Sequence, residues 1–209
     1  MNETMKNKLL IIGASGHGKV VADIALKMNR WQSIAFLDDN LDIKTSMGIE
    51  VIGKSSDAFK YVREYDIFVG IGNNTIREKI QRKLEAEGAT IPIVIDPNAA
   101  IGTEVKLGLG TVIMPGSVIN CCTTVGRGCI INTGATIDHD NLIEDYVHIS
   151  PGVHLAGTVK IGQGSWLGIG SVISNNLNIT SRCMIAAGAV VVKDITETGT
   201  YIGVPARRV

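Results

Sequence analysis

Every sixth residue from Ile95 to Val191 is aliphatic. The stops run Ile95, Ile101, Leu107, Ile113, Ile119, Val125, Ile131, Ile137, Ile143, Ile149, Leu155, Ile161, Leu167, Ile173, Ile179, Ile185 and Val191, seventeen in succession without an exception. A period of six suits neither an amphipathic helix nor the alternation of a long strand. It suits short strands separated by corners and wound into a parallel β-solenoid, one aliphatic side chain pointing inward per rung. Two residues before most stops sits a small or β-branched residue: Ala99, Val105, Thr111, Ser117, Thr123, Cys129, Ala135, Val147, Val153 and Val159. Glycine often follows the stop, as at Gly102, Gly108, Gly126, Gly162 and Gly168, where a turn calls for conformational freedom. Three hexapeptides close one triangular coil, so residues eighteen apart stack at roughly 4.8 Å.

Composition agrees with an aliphatic spool. Aromatic residues make up 4% of the 209 and glycine contributes 24. Lys plus Arg equals Asp plus Glu at 20 each, so no net field draws nucleic acid or an anionic membrane. Cys121, Cys122, Cys129 and Cys183 lack zinc spacing, and the neighbours Cys121 and Cys122 are poorly placed for a bridge, which suits a reducing, cytoplasmic compartment. The chain starts polar from Met1 to Lys8, and the apolar run that follows is only Leu9 to Ile12. No signal peptide is expected there, and no segment is long enough to cross a bilayer.

Ahead of the repeats the pattern changes. Lys8 to Ile12 reads as a buried strand, followed by the loop Gly13-Ala14-Ser15-Gly16-His17-Gly18 and helical spacing from Val20 to Met28. A strand over Ser33 to Leu37 ends in Asp38-Asp39, and a short strand is expected near Glu50-Val51-Ile52. A helix over Ser56 to Arg63 would be capped by Ser55 or Ser56. Asp66 to Ile71 reads as a strand closed by Gly72-Asn73-Asn74, then Thr75 to Glu87 as a helix stopped by Gly88. This order argues a small α/β, Rossmann-like nucleotide-binding domain over residues 1–92, with the solenoid and a C-terminal tail over 93–209.

The glycine loop is G-x-x-G-x-G, a departure from the dinucleotide G-x-G-x-x-G, and about 90 residues make only one mononucleotide half. A glycine turn at a helix N-terminus can still hold a pyrophosphate through backbone N–H groups. Strand ends therefore nominate Ser15, Gly16 and His17, Asp38 and Asp39, and Gly72 and Asn73 as a nucleotide site. The same glycines would also serve if they only made tight turns.

His139, His148 and His154 raise the question of zinc, but an eighteen-residue coil puts them on three different sides, so no metal is expected. His139 stands apart. It lies two residues past the inward Ile137, is followed by Asp140, and is stacked beneath Gly157. A base, a carboxylate and a bare backbone amide are the parts that acyl transfer needs.

On these residues the chain resembles the bacterial nucleotide-sugar N-acetyltransferases of the sialic-acid O-acetyltransferase type, in particular the UDP-4-amino-sugar acetyltransferases of bacillosamine synthesis. The similarity spans Gly13 to Gly18, Phe36 to Asp39, Ile71 to Asn74, the His139 segment, Ala156-Gly157 and Gly203 to Ala206. It implies a left-handed β-helix and acetyl-CoA as co-substrate. His139 would be the general base and Asp140 its carboxylate partner, where the family has Glu. His148 and Gly157 would meet the acetyl end of acetyl-CoA, with Ile169 and Ala187, a glycine in the family, along the pantetheine groove. The N-terminal residues nominated above would hold the UDP-sugar. The resemblance also implies a homotrimer with active sites between subunits. Three other readings remain open at this point: an O-acetyltransferase acting on sialic acid or another sugar hydroxyl, a zinc hydratase, and a non-catalytic nucleotide-sensing module.

Overall fold

A computed structural model describes residues 6–40 and 42–209. The chain's start, Met1 to Met5, on which much of the signal-peptide reading rests, lies outside the described residues, as does Leu41. The chain divides into two compact units, Met1–Ile95 and Asp96–Val209.

In the first unit three parallel strands lie in the spatial order Ser33–Leu37, Lys8–Ile12, Asp66–Val69. Ile11 stands between Phe36 and Phe68 in register. The central strand is apolar and buried from Leu9 to Ile12, as a strand covered on both faces must be. Leu10, Ile12, Leu37, Ile67, Val69 and Leu84 form its core, each contributing about 1.5–3 kcal/mol of apolar burial. The helices run over Gly16–Met28 and Asn74–Ala86.

Strand and helix come unusually close at the glycine loop. A β-carbon on Gly18 would lie 1.8 Å from the carbonyl oxygen of Gly13, and one on Gly70 would lie 3.0 Å from the α-carbon of Gly18. Gly13 and Gly18 are thus demanded by packing, whereas Gly16 has open space around it.

Two local expectations are corrected. The segment after Lys54 is a 3₁₀ helix over Ser55–Tyr61, and its start is closed by Asp57, whose Oδ2 accepts the Lys54 N–H at 2.9 Å, so neither serine acts as the cap. The strand expected near residues 50–52 is instead a hairpin of Thr45–Ser46 with Ile49–Glu50, while Val51 makes a lone parallel bridge to Phe36. Met47 and Gly48 both take positive φ (53° and 75°), the twist a two-residue hairpin turn needs.

The second unit is a parallel β-solenoid with three faces. One face stacks Ala100–Ile101, Val118–Ile119, Thr136–Ile137, His154–Leu155, Val172–Ile173 and Val190–Val191. The next runs from Lys106–Leu107 through Leu142–Ile143 to Asn178–Ile179. The third takes in Val112–Ile113, Ile130–Ile131, His148–Ile149, Trp166–Leu167 and Met184–Ile185. From Ile101 to Val191 each sixfold stop is the second residue of a two-residue strand, and from Ile113 onward all are buried. The tail continues the third face: Thr200–Ile202 pairs parallel with Met184–Ile185, and Arg207–Arg208 returns antiparallel. No helix among the described residues is long and apolar enough to cross a membrane.

The glycines after the stops serve a different purpose from the one expected. Gly102, Gly108, Gly126, Gly162 and Gly168 are absent from the positive-φ positions. A β-carbon on any of them would come within 2.4–2.6 Å of atoms eighteen or nineteen residues on, mostly backbone of the next coil. Close stacking of coils, not turning, selects glycine there.

Candidate active site

The corner after Thr136–Ile137 carries Asp138, His139, Asp140 and Asn141 to the next face. Asp140 turns it in the left-handed region at φ 57°, in a column with Glu104, Cys122, Thr158 and Asn176 at 58–61°. Aspartate tolerates that region better than most residues. Its carboxylate comes beside the preceding side chain, with Oδ2 2.7 Å from His139 Nδ1. Asp138 Oδ1 accepts the His139 N–H at 2.9 Å and the Asn120 side-chain amide at 2.8 Å.

Two carboxylates therefore hold His139, one at its ring and one at its backbone N–H. The hydrogen bond that His139 Nδ1 donates to Asp140 raises the His139 pKa above its ordinary value, and the charge of Asp138 adds to it. A carboxylate on Nδ1 fixes the proton there in the neutral ring and leaves the lone pair on Nε2. Nε2 makes no hydrogen bond among the described residues, and the side chain is 52% exposed.

Gly157 lies against this ring. A β-carbon on it would fall 2.6 Å from Cε1 and 2.7 Å from Nε2 of His139. Its carbonyl accepts the Asn176 N–H at 3.0 Å, while its own N–H has no acceptor among the described residues. Cys121 is one coil below, its carbonyl accepting the Asp140 N–H at 3.2 Å.

The residues nominated for acetyl-CoA sit elsewhere on the spool. His148 is in the third face, 7% exposed, stacked on Trp166 with ring centroids 4.5 Å apart. Its Nε2 is 3.3 Å from Asn132 Nδ2, and Trp166 Nε1 donates to Ser150 Oγ at 2.9 Å. Ile169 and Ala187 are exposed at the corner after that face, linked by the Gly188 N–H to the Ile169 carbonyl at 2.8 Å. A single solenoid joins His139 to Gly157 but does not bring His148, Ile169 or Ala187 to them. His139, His148 and His154 occupy a corner and two different faces, and no cluster of three metal-ligating side chains occurs among the described residues.

In the first unit, the nominated side chains are largely engaged by backbone. Asp38 Oδ2 accepts the Ala14 N–H at 2.7 Å and Oδ1 the Asn40 N–H at 2.8 Å, pinning the glycine loop. Asp39 Oδ1 accepts the Ser55 N–H at 2.9 Å. The Asn73 side chain caps the second helix through Ile76 N–H at 3.0 Å, a structural role that the nucleotide reading had not assigned. Ser15 and Gly16 are exposed at the start of the first helix, and the Ser15 side chain makes no capping bond.

His17 Nε2 is buried without a hydrogen-bond partner. Burial first, and then the Arg77 guanidinium, lower its pKa to about 4, so the ring is neutral at pH 7. Arg77 is 1% exposed and donates to the carbonyls of Ile71 (3.1 Å) and Gly72 (2.9 Å) and to Asn74 Oδ1 (2.8 Å). Nothing in its helical surroundings marks Arg77 in the sequence. Asn141 was equally missed, although it left a trace: it stands where the repeat elsewhere prefers a small or β-branched residue.

Residues 8–84 match the PglD N-terminal domain family. The chain is 38% identical to the acetyltransferase domain of PglB from Neisseria gonorrhoeae FA1090, solved in complex with acetyl coenzyme A. That match covers 98% of this chain and 100% of the other, with a TM-score of 0.95. A GDP-perosamine N-acetyl transferase from Caulobacter crescentus, solved as a histidine-to-alanine variant with CoA and GDP-perosamine, is 32% identical over 96% of each chain, with a TM-score of 0.91. GDP-perosamine N-acetyltransferase of Escherichia coli O157:H7 is 29% identical over 175 residues, 80% of this chain and 78% of that protein.

Proposed function

Because the chain belongs to the PglD-like hexapeptide acetyltransferases, left-handed β-helix enzymes that use acetyl-CoA, we propose that it acetylates the 4-amino group of a UDP-linked 4-amino-4,6-dideoxy sugar of the bacillosamine type. The observation that carries this reading is the His139 constellation: Nδ1 held by Asp140 at 2.7 Å, Nε2 open, and Gly157 against the ring. The sugar amine attacks the thioester carbonyl directly. His139 Nε2 takes the proton that nitrogen loses as the C–N bond forms, then returns it to the departing thiolate, giving amide and free coenzyme A. A backbone N–H such as that of Gly157 is the type of donor that stabilises the oxyanion.

The first unit holds the nucleotide, with the helix N-terminus at Ser15 and Gly16 as the phosphate end and neutral His17 beside it. The protein works as a homotrimer in which coenzyme A lies along one copy's Ile169 and Ala187 corner and reaches the next copy's His139. Support comes from the spool itself, since one solenoid keeps these residues apart. Four free cysteines fit a cytoplasmic setting.

The test is release of free coenzyme A with a panel of UDP- and GDP-linked sugars, each offered in its 4-amino and 4-hydroxy form. Turnover restricted to UDP-linked amines supports the reading. Preference for a hydroxyl would replace it with O-acetylation, and preference for GDP would keep the reaction and change the nucleotide.

A further inference from the structure

The inward positions two residues before the stops contain a recurring device. Thr111 Oγ1 donates to the Gly126 carbonyl at 2.8 Å, Ser117 Oγ to Asn132 at 2.9 Å, Thr123 Oγ1 to Asp138 at 2.9 Å and Ser165 Oγ to Thr180 at 3.2 Å. In each case a short hydroxyl ties its own coil to the carbonyl fifteen residues on.

Asn141 occupies the same kind of position, 2% exposed, and does more. Its Nδ2 makes the equivalent bond to the Ala156 carbonyl at 3.1 Å, but also donates to the Asp138 carbonyl at 2.6 Å and reaches that of His139 at 3.4 Å. Its Oδ1 accepts the Val159 N–H at 2.9 Å. The amide orientation is fixed by its neighbours: carbonyls surround the nitrogen and an N–H faces the oxygen. One side chain therefore grips the backbone on both sides of His139 and on both sides of Gly157. A hydroxyl at this position would keep at most part of that set.

We propose that Asn141 is a positioning residue for acetyl transfer, locking the corner that carries His139 to the corner that carries Gly157. This rests on His139 being the base. The gap between ring and glycine leaves no room for a β-carbon unless the ring moves, so a small relative shift of the two corners changes where Nε2 points. Misplacement by about an ångström costs up to roughly 100-fold in rate. The same shift would loosen the Asp140 contact on Nδ1.

The experiment compares Asn141→Ala, Asn141→Ser, Ser165→Ala and His139→Ala in the full-length protein. It records kcat, KM for acetyl-CoA, the pH dependence of kcat/KM and the thermal midpoint. Asn141→Ala should lower kcat by roughly 10- to 100-fold with KM for acetyl-CoA unchanged. Its acid limb should move down towards the ordinary histidine value, with Asn141→Ser in between. Ser165→Ala removes a comparable buried bond at another corner and should lower only the thermal midpoint. If His139→Ala is inactive while Asn141→Ala matches Ser165→Ala in kcat and pH profile, Asn141 is merely structural and the inference is overturned. Should Asn141→Ala fail to fold, full kcat and an unmoved limb in Asn141→Ser overturn it equally. Full activity in His139→Ala would remove the premise as well.

Discussion

The α-carbon of Gly157 lies so near the imidazole of His139 that an added methyl would sit 2.6 Å from Cε1. The obstructed group is the end of a side chain, not backbone, so Gly157→Ala can be accommodated by displacing the ring. We expect kcat to fall by roughly 10–100-fold with the thermal midpoint almost unchanged. A midpoint that collapses along with activity would assign Gly157 to folding instead.

His139→Ala should lower kcat by roughly 10²–10⁴ in a protein that remains folded. A general base works when neutral. With its pKa raised by Asp140 and Asp138, kcat/KM should fall as pH drops through a midpoint above the ordinary histidine value. Asp140→Asn removes the largest cause, so that midpoint should move to lower pH. A limb that moves upward, or not at all, would detach it from His139.

Cys121 is the thiol beneath His139, one coil down and exposed. Direct attack by the amine needs no acetyl-enzyme. Cys121→Ser should therefore keep turnover within about twofold, where loss of a nucleophile would cost orders of magnitude. Trapping of an acetylated Cys121 would contradict direct transfer.

The first unit should lose stability on acidification. His17 has its pKa lowered from 6.5 to about 4. A depressed histidine contributes fully above its unfolded pKa, and its contribution is lost as pH falls from 6.5 towards 4. At about 1.4 kcal/mol per pH unit this amounts to at most about 3 kcal/mol, less for a ring that is partly exposed. Thermal melts across that window should show the decline, and His17→Gln should flatten it.

Gly18→Ala tests the packing of the glycine loop. Its β-carbon would collide with the Gly13 carbonyl, which belongs to backbone and cannot rotate away. A loss on the order of 3 kcal/mol or more is expected, read as early melting of the first unit. Gly16→Ala, with open space around it, should melt normally.

The sixfold aliphatic run was enough to specify a solenoid and the face each side chain occupies. Burying one Ile, Leu or Val per short rung leaves no other regular winding, and stacking at eighteen then follows by counting. By the same counting, the sequence placed Gly157 over His139 and separated the three histidines. What it did not determine was anything set by contacts across coils or between loop and strand. The glycines after the stops were misread as turn residues because their neighbours lie about eighteen positions away. The bonds of Arg77 depend on side-chain reach within a folded loop, which no local pattern records, whereas Asn just ahead of a helix is a local capping signal that the nucleotide reading of Asn73 passed over. Asn141 differed visibly from the repeat, but only the tertiary structure decided that its amide spans two corners, because its partners become neighbours only after the coil closes.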